Sequence, residues 1–493
     1  ENLPLEKRIS EAMVKGDATN LPQDLEEALG VYDSPVDIIS GPLMDGMNRV
    51  GTLFGEGKLF LPQVVKTART MKIAVDFLQP YIEKTLSKSS EPTYSGTIVI
   101  ATVKGDVHDI GKNIVGVILS CNSYRIVDLG VMASAESIID AVKREKPDFV
   151  CLSGLITPSL EQMVNTVKMM RAEGISVPVM IGGAATSAEY TAVKIAPAYA
   201  PGVVIHVKDA SQNPLIAANL MGAEREQAIA QILAEQEALR EHFEQRPSVS
   251  EATMLKNREQ FDWTGYQPKP VPFNGVETMT FSVEQLVPLI DWVYFYHAWK
   301  VKADSEEGKK LLAEAMEMLD ELKEKVPMAT VGRVAFFPAK ATEKEIVLNV
   351  NEKEYAISTP RKMPKDKPSV ALCDFVCPAG DNVGAFAATL TAEMKQYYEA
   401  AKAQDSYKAM LLQTLLDRLA EATSQALDDQ FGWAKIRPAV GYPSLANQAA
   451  IFQLAEILDF EQLGIDVTTT GAMYPQASVA GLYISHPEAR YFG

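Results

Sequence analysis

The sequence predicts three folds in series: a helical bundle, a doubly wound α/β domain and an α+β domain. Residues 1 to about 86 place apolar side chains at spacings of three and four, the period of helices that bury one face. From about 94 to 222, five short apolar runs alternate with helical stretches, as a parallel sheet covered on both faces requires. Beyond about 260, helices mix with short strands without that alternation. At 493 residues the chain exceeds one ordinary domain, and its length suggests roughly three.

Within the bundle the helical runs are Leu5-Ile9-Met13, Leu25-Ala28-Leu29, Val36 to Val50, and Leu61 to Tyr81. Four helices with short connections imply an antiparallel packing. The stretch Phe54-Gly55-Glu56-Gly57-Lys58-Leu59-Phe60-Leu61-Pro62 is an apolar loop with two glycines, suited to core packing or to a lid. A polar loop at 87–93 closes this first domain, set at 1–88. The α/β domain, 94–222, has strands expected at 97–102, 124–128, 148–153, 177–181 and 203–207. A charged helix from 223 to 246 and a polar connector predict a loosely docked linker over 223–259. In the last domain, 260–493, helices are expected at 285–300, 306–325, 392–428 and 447–458, with strands at 332–336, 345–349, 369–375 and 479–484.

An apolar fraction of 47% and a charged fraction of 23% are those of a globular protein. No run reaches the roughly 18 apolar residues of a membrane helix, and Glu-Asn-Leu-Pro has no signal-peptide character, so the chain is expected to be cytoplasmic. Only Cys121, Cys151, Cys373 and Cys377 occur. Two sit in apolar contexts, and the Cys373-x-x-x-Cys377 pair has no second pair or nearby histidine to complete a metal site, which favours structural thiols. A net charge of −17 opposes binding to nucleic acid or an anionic membrane. A small-molecule enzyme fits that balance.

The richest segment is Gly105-Asp106-Val107-His108-Asp109-Ile110-Gly111, between the first strand and its helix. In an open parallel sheet, ligands lie outside the carboxyl ends of the strands, where this loop emerges. His108 can offer a ring nitrogen to a metal or a proton to a substrate, and Asp106 can accept a hydrogen bond from the other nitrogen. A lone histidine more often caps a helix or fills a polar gap. Two further strand ends change that balance: Ser153-Gly154-Leu155-Ile156-Thr157-Pro158-Ser159, and Gly182-Gly183-Ala184-Ala185-Thr186. The glycines allow close backbone approach, and the hydroxyls of Ser153, Thr157 and Ser159 can bond a polar ligand.

The Asp-x-His-x-x-Gly loop, the Ser-x-Leu strand end and the Gly-Gly, in this order, resemble the cobalamin-binding module of corrinoid methyltransferases and B12-dependent mutases. The resemblance implies a flavodoxin-like sheet in which His108 replaces the cofactor's own base as lower cobalt ligand. Asp106 and Ser159 would form a hydrogen-bonded relay behind it. Gly105, Val107, Asp109, Gly111, Leu155, Thr157 and Ala210 would join Ser153, Gly182 and Gly183 in holding the cofactor and its displaced nucleotide tail. Gly41-Pro42-Leu43-Met44-Asp45-Gly46-Met47 and the loop after it resemble a helical cap over the upper corrin face, with Phe54 and Leu61 shielding a cobalt-bound methyl group.

The C-terminal markers are Phe261-Asp262-Trp263, Ile290-Asp291-Trp292, Phe336-Phe337-Pro338-Ala339, Asp374-Phe375-Val376, Asp417-Arg418-Leu419-Ala420-Glu421-Ala422, Arg437-Pro438-Ala439-Val440-Gly441-Tyr442-Pro443 and Ser485-His486-Pro487. They resemble the S-adenosylmethionine-binding activation domain of the cobalamin-dependent methionine synthase family. That ligand carries an ammonium, a sulfonium and a carboxylate, so Asp291 and Glu421 would meet its cationic groups and Arg437 its carboxylate. Ala439, Gly441, Tyr442, Tyr491 and Phe492 would hold the adenosine end. Each has a plainer reading, since Arg437 can brace the turn before Pro438 and Asp291 can cap a helix.

The family implies methylcobalamin as cofactor, methyl transfer from 5-methyltetrahydrofolate to homocysteine, and repair of the oxidised cofactor by an electron and a methyl group from S-adenosylmethionine. By the same resemblance the homocysteine and folate domains, with the former's zinc, would belong to a longer chain of which this is a C-terminal fragment. A flavodoxin-like electron donor would be its partner. Two rivals are a stand-alone corrinoid carrier of another methyltransferase system and a cobalamin-binding sensor. The large C-terminal domain argues against the first and the lack of a signalling element against the second.

Overall fold

Apolar stripes at helical spacing close the first domain on itself. The structure, a computed structural model, describes residues 3–85, 94–246, 249–364 and 367–492, so the loop expected at 87–93 lies outside the described residues. Helix α1 (Leu5–Lys15) buries Ile9 and Met13, and α2 (Leu21–Leu29) buries Leu21, Leu25 and Ala28. The helix expected over 36–50 is interrupted. A single turn, Pro35–Ile38, passes into a wide turn at Ile39–Leu43 before α3 (Met44–Gly55) begins. Pro42 lies inside that wide turn, where its missing N–H and its ring forbid regular helical bonding. Helix α4 (Leu61–Thr85) completes the bundle.

The second domain alternates β1 (Gly96–Thr102), α5 (Ile110–Ser120), β2 (Tyr124–Asp128), α6 (Ala135–Glu145), β3 (Phe149–Ser153), α7 (Ser159–Ala172), β4 (Val179–Gly182), helical turns over 188–199, β5 (Val204–His206) and α8 (Asn213–Met221). The sheet is wholly parallel in the order β2-β1-β3-β4-β5. Strands β1, β3 and β4 are buried almost throughout, because helices cover both faces. Strand order reverses between β1 and β3, which opens a crevice at their carboxyl ends.

The expected linker is more firmly placed than its charge suggested. Helix α9 (Arg225–Gln245) lies on this domain, with Ala228, Ile229 and Ile232 against the apolar cluster that includes Val203 and Ile205. Gln236 is buried and donates to the carbonyl of Val204 at 2.7 Å, while Arg240 bonds the carbonyl of Ala192. One narrow apolar stripe suffices to dock a helix whose other faces are charged.

The third domain is built on an antiparallel sheet. Its elements are β6 (Val276–Ser282), α10 (Trp292–Trp299), α11 (Glu306–Lys325), β7 (Met328–Ala341), β8 (Glu345–Val350), β9 (Lys353–Ser358), β10 (Asp381–Leu390), α12 (Ala392–Gln404), α13 (Ser406–Asp429), α14 (Ala450–Ile457), β11 (Asp466–Val467), β12 (Met473–Tyr474) and β13 (Val479–Tyr483). The sheet runs β13-β10-β7-β8-β9, with β6 beside β7.

Three expectations needed correction here. Residues 369–375 form bridges at Ser369 and Val370 and then a tight turn, Leu372–Phe375, fixed by the buried Arg361–Asp374 pair at 2.7 Å. The helix expected over 392–428 breaks at Asp405, whose extended backbone lets its carboxylate cap α13 through the amides of Tyr407 and Lys408. The helix expected over 285–300 contains a tight turn at Val287–Leu289 and starts afresh at Trp292, capped by Asp291. No helix among the described residues is long and apolar enough to cross a membrane.

Candidate functional site

His108 stands on the loop that leaves β1 for α5, at the point where strand order reverses. Its Nδ1 lies 2.6 Å from Oδ1 of Asp106, and because a carboxylate can only accept, the ring donates there. Asp106 is fully buried and accepts further bonds at Oδ2, from Ser159 Oγ at 2.6 Å and from the Leu155 amide at 2.7 Å. The sequence placed these three residues in one relay, and the structure brings them together. Burial alone would push the Asp106 carboxyl up, but the His108 ring, the Ser159 hydroxyl and the Leu155 amide hold it down at about 2. A carboxylate held ionised at neutral pH therefore favours the tautomer of His108 that donates from Nδ1.

Beyond the first turn of α5 a cavity of about 420 Å³ runs into the sheet. Gly111, Ser153, Gly182, Gly183 and Ala210 line it, as expected. Gly183 has φ +114, and a Cβ there would meet the carbonyl oxygen of Gly154 at 2.1 Å, so only glycine allows these strand ends to approach. Leu155 and Thr157 are exposed and do not line the cavity; Leu155 acts through its amide on Asp106. Gly105 and Val107 also lie off the cavity and face the third domain instead. The Gly105 carbonyl accepts from Thr468 and Thr470, each at 2.6 Å, and Val107 is buried with Ile156 and Ala472. Asp109 faces Lys402 at 3.5 Å.

The sequence reading missed Thr186, His206, Asn213 and Lys112 in this wall. Thr186 and His206 each stand at or just past a strand's carboxyl end, the signal that selected their neighbours, and they bond each other at 3.1 Å. Lys112 is 4% exposed, pinned by Asp128 and Asn113 at 2.6 Å each.

Phe54 and Leu61 are not brought to this cavity. Leu61 is buried in an apolar cluster that the bundle shares with the third domain, and Phe54 packs at its edge. The bundle is held there by Lys66 to Glu314 at 2.6 Å and Arg69 to Asp405 at 3.4 Å.

A second cavity, about 620 Å³, lies between α10, α13 and the 437–444 turn. Asp291, Glu421, Arg437, Ala439, Tyr442, Tyr491 and Phe492 all line it, though they span two hundred positions of sequence. Gly441 does not; it forms the turn, with φ +92 and its amide on the carbonyl of Leu445. The buried Asp428 carboxylate steadies Arg437 at 3.4 Å. Asp291 also caps α10 through the Val293 amide at 3.0 Å, so the plainer reading holds alongside its place in the cavity. Glu421 accepts from Arg418 at 2.6 Å and from the Tyr442 hydroxyl, and burial pushes that phenol up, aided by the Glu421 charge. Arg418 and Tyr294 were missed, and they stack with the guanidinium 5.3 Å from the ring centre.

Family models match most of the chain in sequence order. Residues 5–79 and 96–211 each match a B12 binding domain, and 282–434 with 430–493 match the vitamin B12 dependent methionine synthase activation domain. The chain carries two B12 binding domains followed by the activation domain of vitamin B12 dependent methionine synthase. Similar solved structures include the MetH reactivation domain bound to AdoHcy, at 29% identity over 50% of this chain and 90% of that one, TM-score 0.45. The methanol:cobalamin methyltransferase complex MtaBC from Methanosarcina barkeri is 29% identical over 46% of this chain and 85% of that one, TM-score 0.40. A cobalamin-binding protein from Desulfitobacterium hafniense DCB-2 is 26% identical over 45% of this chain and all of that one, TM-score 0.33.

Proposed function

We propose that this chain is the part of a methionine synthase that carries methylcobalamin between 5-methyltetrahydrofolate and homocysteine and restores it with S-adenosylmethionine. The observation that carries the reading is the pairing, in one chain, of the His108–Asp106–Ser159 relay beside a tail-sized cavity with a second cavity bearing Arg437, Glu421 and Asp291. The donor sets fit both ligands. A free imidazole nitrogen and an adjoining cavity walled by glycines and apolar side chains, with hydroxyl and ammonium groups among them, suit a base-off corrinoid with its polar tail. Carboxylates beside an arginine, with aromatic rings, suit an amino acid joined to a nucleoside.

When bound, cobalamin supplies a cobalt centre that accepts and releases a methyl group. His108 would ligate it through Nε2, with Asp106 raising the basicity of the ring and Ser159 completing the relay. Asp417 of α13 lies within electrostatic reach of the His108 ring, so the activation domain brings a second carboxylate towards it. Arg437 would take the carboxylate of S-adenosylmethionine, and Glu421 and Asp291 its ammonium and sulfonium. An electron donor of the flavodoxin kind would supply the reducing equivalent. The stand-alone carrier reading leaves the second cavity without a task.

The test is the visible spectrum of the cobalamin-loaded chain, wild type against His108→Ala, between about pH 6 and 9. A six-coordinate spectrum that turns base-off in the variant supports the assignment. Identical spectra, or failure of the wild type to retain cobalamin, would remove it.

A further inference from the structure

Every residue lining the cavity beside α5 belongs to the α/β domain except Lys300. It comes from the activation domain, one position beyond the end of α10, and its ammonium pairs with Asp209 on the loop that follows β5. Both ends of this bridge are held firmly. Asp209 accepts from the amide and hydroxyl of Ser211, at 2.9 and 2.7 Å, between cavity-lining Lys208 and Ala210. On the other side Trp299 is fully buried and donates from Nε1 to Thr414 at 3.1 Å, which fixes the end of α10 to α13. Lys300 itself has φ 52, a left-handed helix end where glycine is the usual residue. Backbone economy alone therefore does not explain a lysine at this point.

Charge at the cavity departs from that of the chain. Three ammonium groups, Lys112, Lys208 and Lys300, line one cavity in a protein of net charge −17. Asp128 offsets the first and Asp209 the third, while Lys208 has no ion pair among the described residues. One positive charge is left over, as suits a ligand segment bearing a single negative charge, such as the phosphodiester in the nucleotide tail of cobalamin.

We propose that Lys300 is a latch on the cofactor's nucleotide tail, supplied by the activation domain and closed only when that domain is docked. This rests on the reading that the cavity takes that tail. The docked domain adds a cationic wall to a cavity that the α/β domain leaves open on that side. Linkage makes the effect reciprocal, so a tail-bearing cofactor favours the docked arrangement as much as docking favours retention of the tail.

The test uses the full chain as wild type, Lys300→Ala and Lys300→Arg, each loaded with cobalamin or with cobinamide, which has the same ring and no nucleotide tail. Release is followed by visible absorbance, and S-adenosylmethionine affinity by calorimetry. Lys300→Ala should release cobalamin about three- to fivefold faster, the size of a partly exposed ion pair. Cobinamide release and S-adenosylmethionine affinity should not change, and Lys300→Arg should restore the slow rate. An unchanged cobalamin rate, or an equal acceleration for cobinamide, overturns the latch while leaving the cavity assignment intact. Equal release of the two cofactors from wild type overturns the cavity assignment, and the latch with it.

Discussion

Replacing Gly183 by alanine tests the geometry of the cobalamin cavity more sharply than any change of charge. The residue has φ +114, and the added Cβ would stand 2.1 Å from the Gly154 carbonyl oxygen and 2.9 Å from its carbon and nitrogen, where ordinary contact begins at 3.4 Å. Two costs combine. An L-residue in that sparsely populated region is strained by about 1–3 kcal/mol. Forcing the ends of β3 and β4 apart costs about 1–3 kcal/mol more, as overpacking does elsewhere. The expected loss is about 3 kcal/mol in stability of the α/β domain, with weakened cobalamin binding because the displaced strand ends line the cavity. Gly182→Ala is the matched control. Its Cβ would meet nothing nearer than the Val207 carbonyl at 3.8 Å, and it should cost under about 1 kcal/mol. Urea denaturation of the apoproteins, followed by titration with cobalamin, measures both effects. A difference between the two variants below about 0.5 kcal/mol would refute the close-approach argument.

Arg437→Ala should weaken S-adenosylmethionine binding by roughly ten- to a hundredfold, the value of a charge-assisted pair, and Asp291→Ala by less, because that carboxylate also serves α10. Calorimetry decides, and unchanged affinity in both removes the cavity assignment. Asp417 gives a pH dependence. Burial pushes its carboxyl up to about 6, with Arg418, the Gln413 and Gln476 amides and His108 pulling the other way. The folded state then holds a proton that the unfolded chain has already lost between its ordinary 3.8 and about 6, so stability falls as pH rises through that window. Asp417→Asn should remove this fall and gain on the wild type between pH 5 and 7 in urea midpoints; a constant gap across those pH values would contradict it. Burial pushes the Cys121 thiol up to about 12, so it should resist maleimide at pH 8 until the chain is unfolded, and rapid native labelling, read by mass spectrometry, would argue against its placement.

The parallel sheet was legible because its strands are buried on both faces and read as unbroken apolar runs, from Ile98 to Ala101 and from Phe149 to Leu152. The loops after them were legible for the same reason, since the end of a run marks where a ligand can bind. Strand β10 was not. Its core is Gly384, Ala385, Phe386, Ala387 and Ala388, small residues that pack between β7 and β13 but carry little strand propensity. Helix α9 was read as loose because charge dominates its sequence, whereas a narrow stripe of Ala228, Ile229 and Ile232, with Gln236 and Arg240 on backbone carbonyls, docks it. The reach of Lys300 and of Thr468 to residues about 90 and 360 positions away left no trace in local pattern at all.

These long-range contacts explain why the His108 loop can serve two masters. The activation domain reaches it through Thr468 and Thr470 on the Gly105 carbonyl and Lys402 beside Asp109. The separate buried apolar cluster between the loops counts only Val107, Ile156 and Ala472. Neutral hydrogen bonds contribute about 1 kcal/mol each and partly exposed ion pairs less. An interface resting largely on such contacts leaves docking reversible. The bundle is held against the third domain by the Lys66–Glu314 and Arg69–Asp405 pairs together with the apolar cluster that the two domains share. The two contacts with the third domain therefore differ in kind: the His108 loop meets it mainly through polar bonds, while the bundle shares a buried apolar cluster with it.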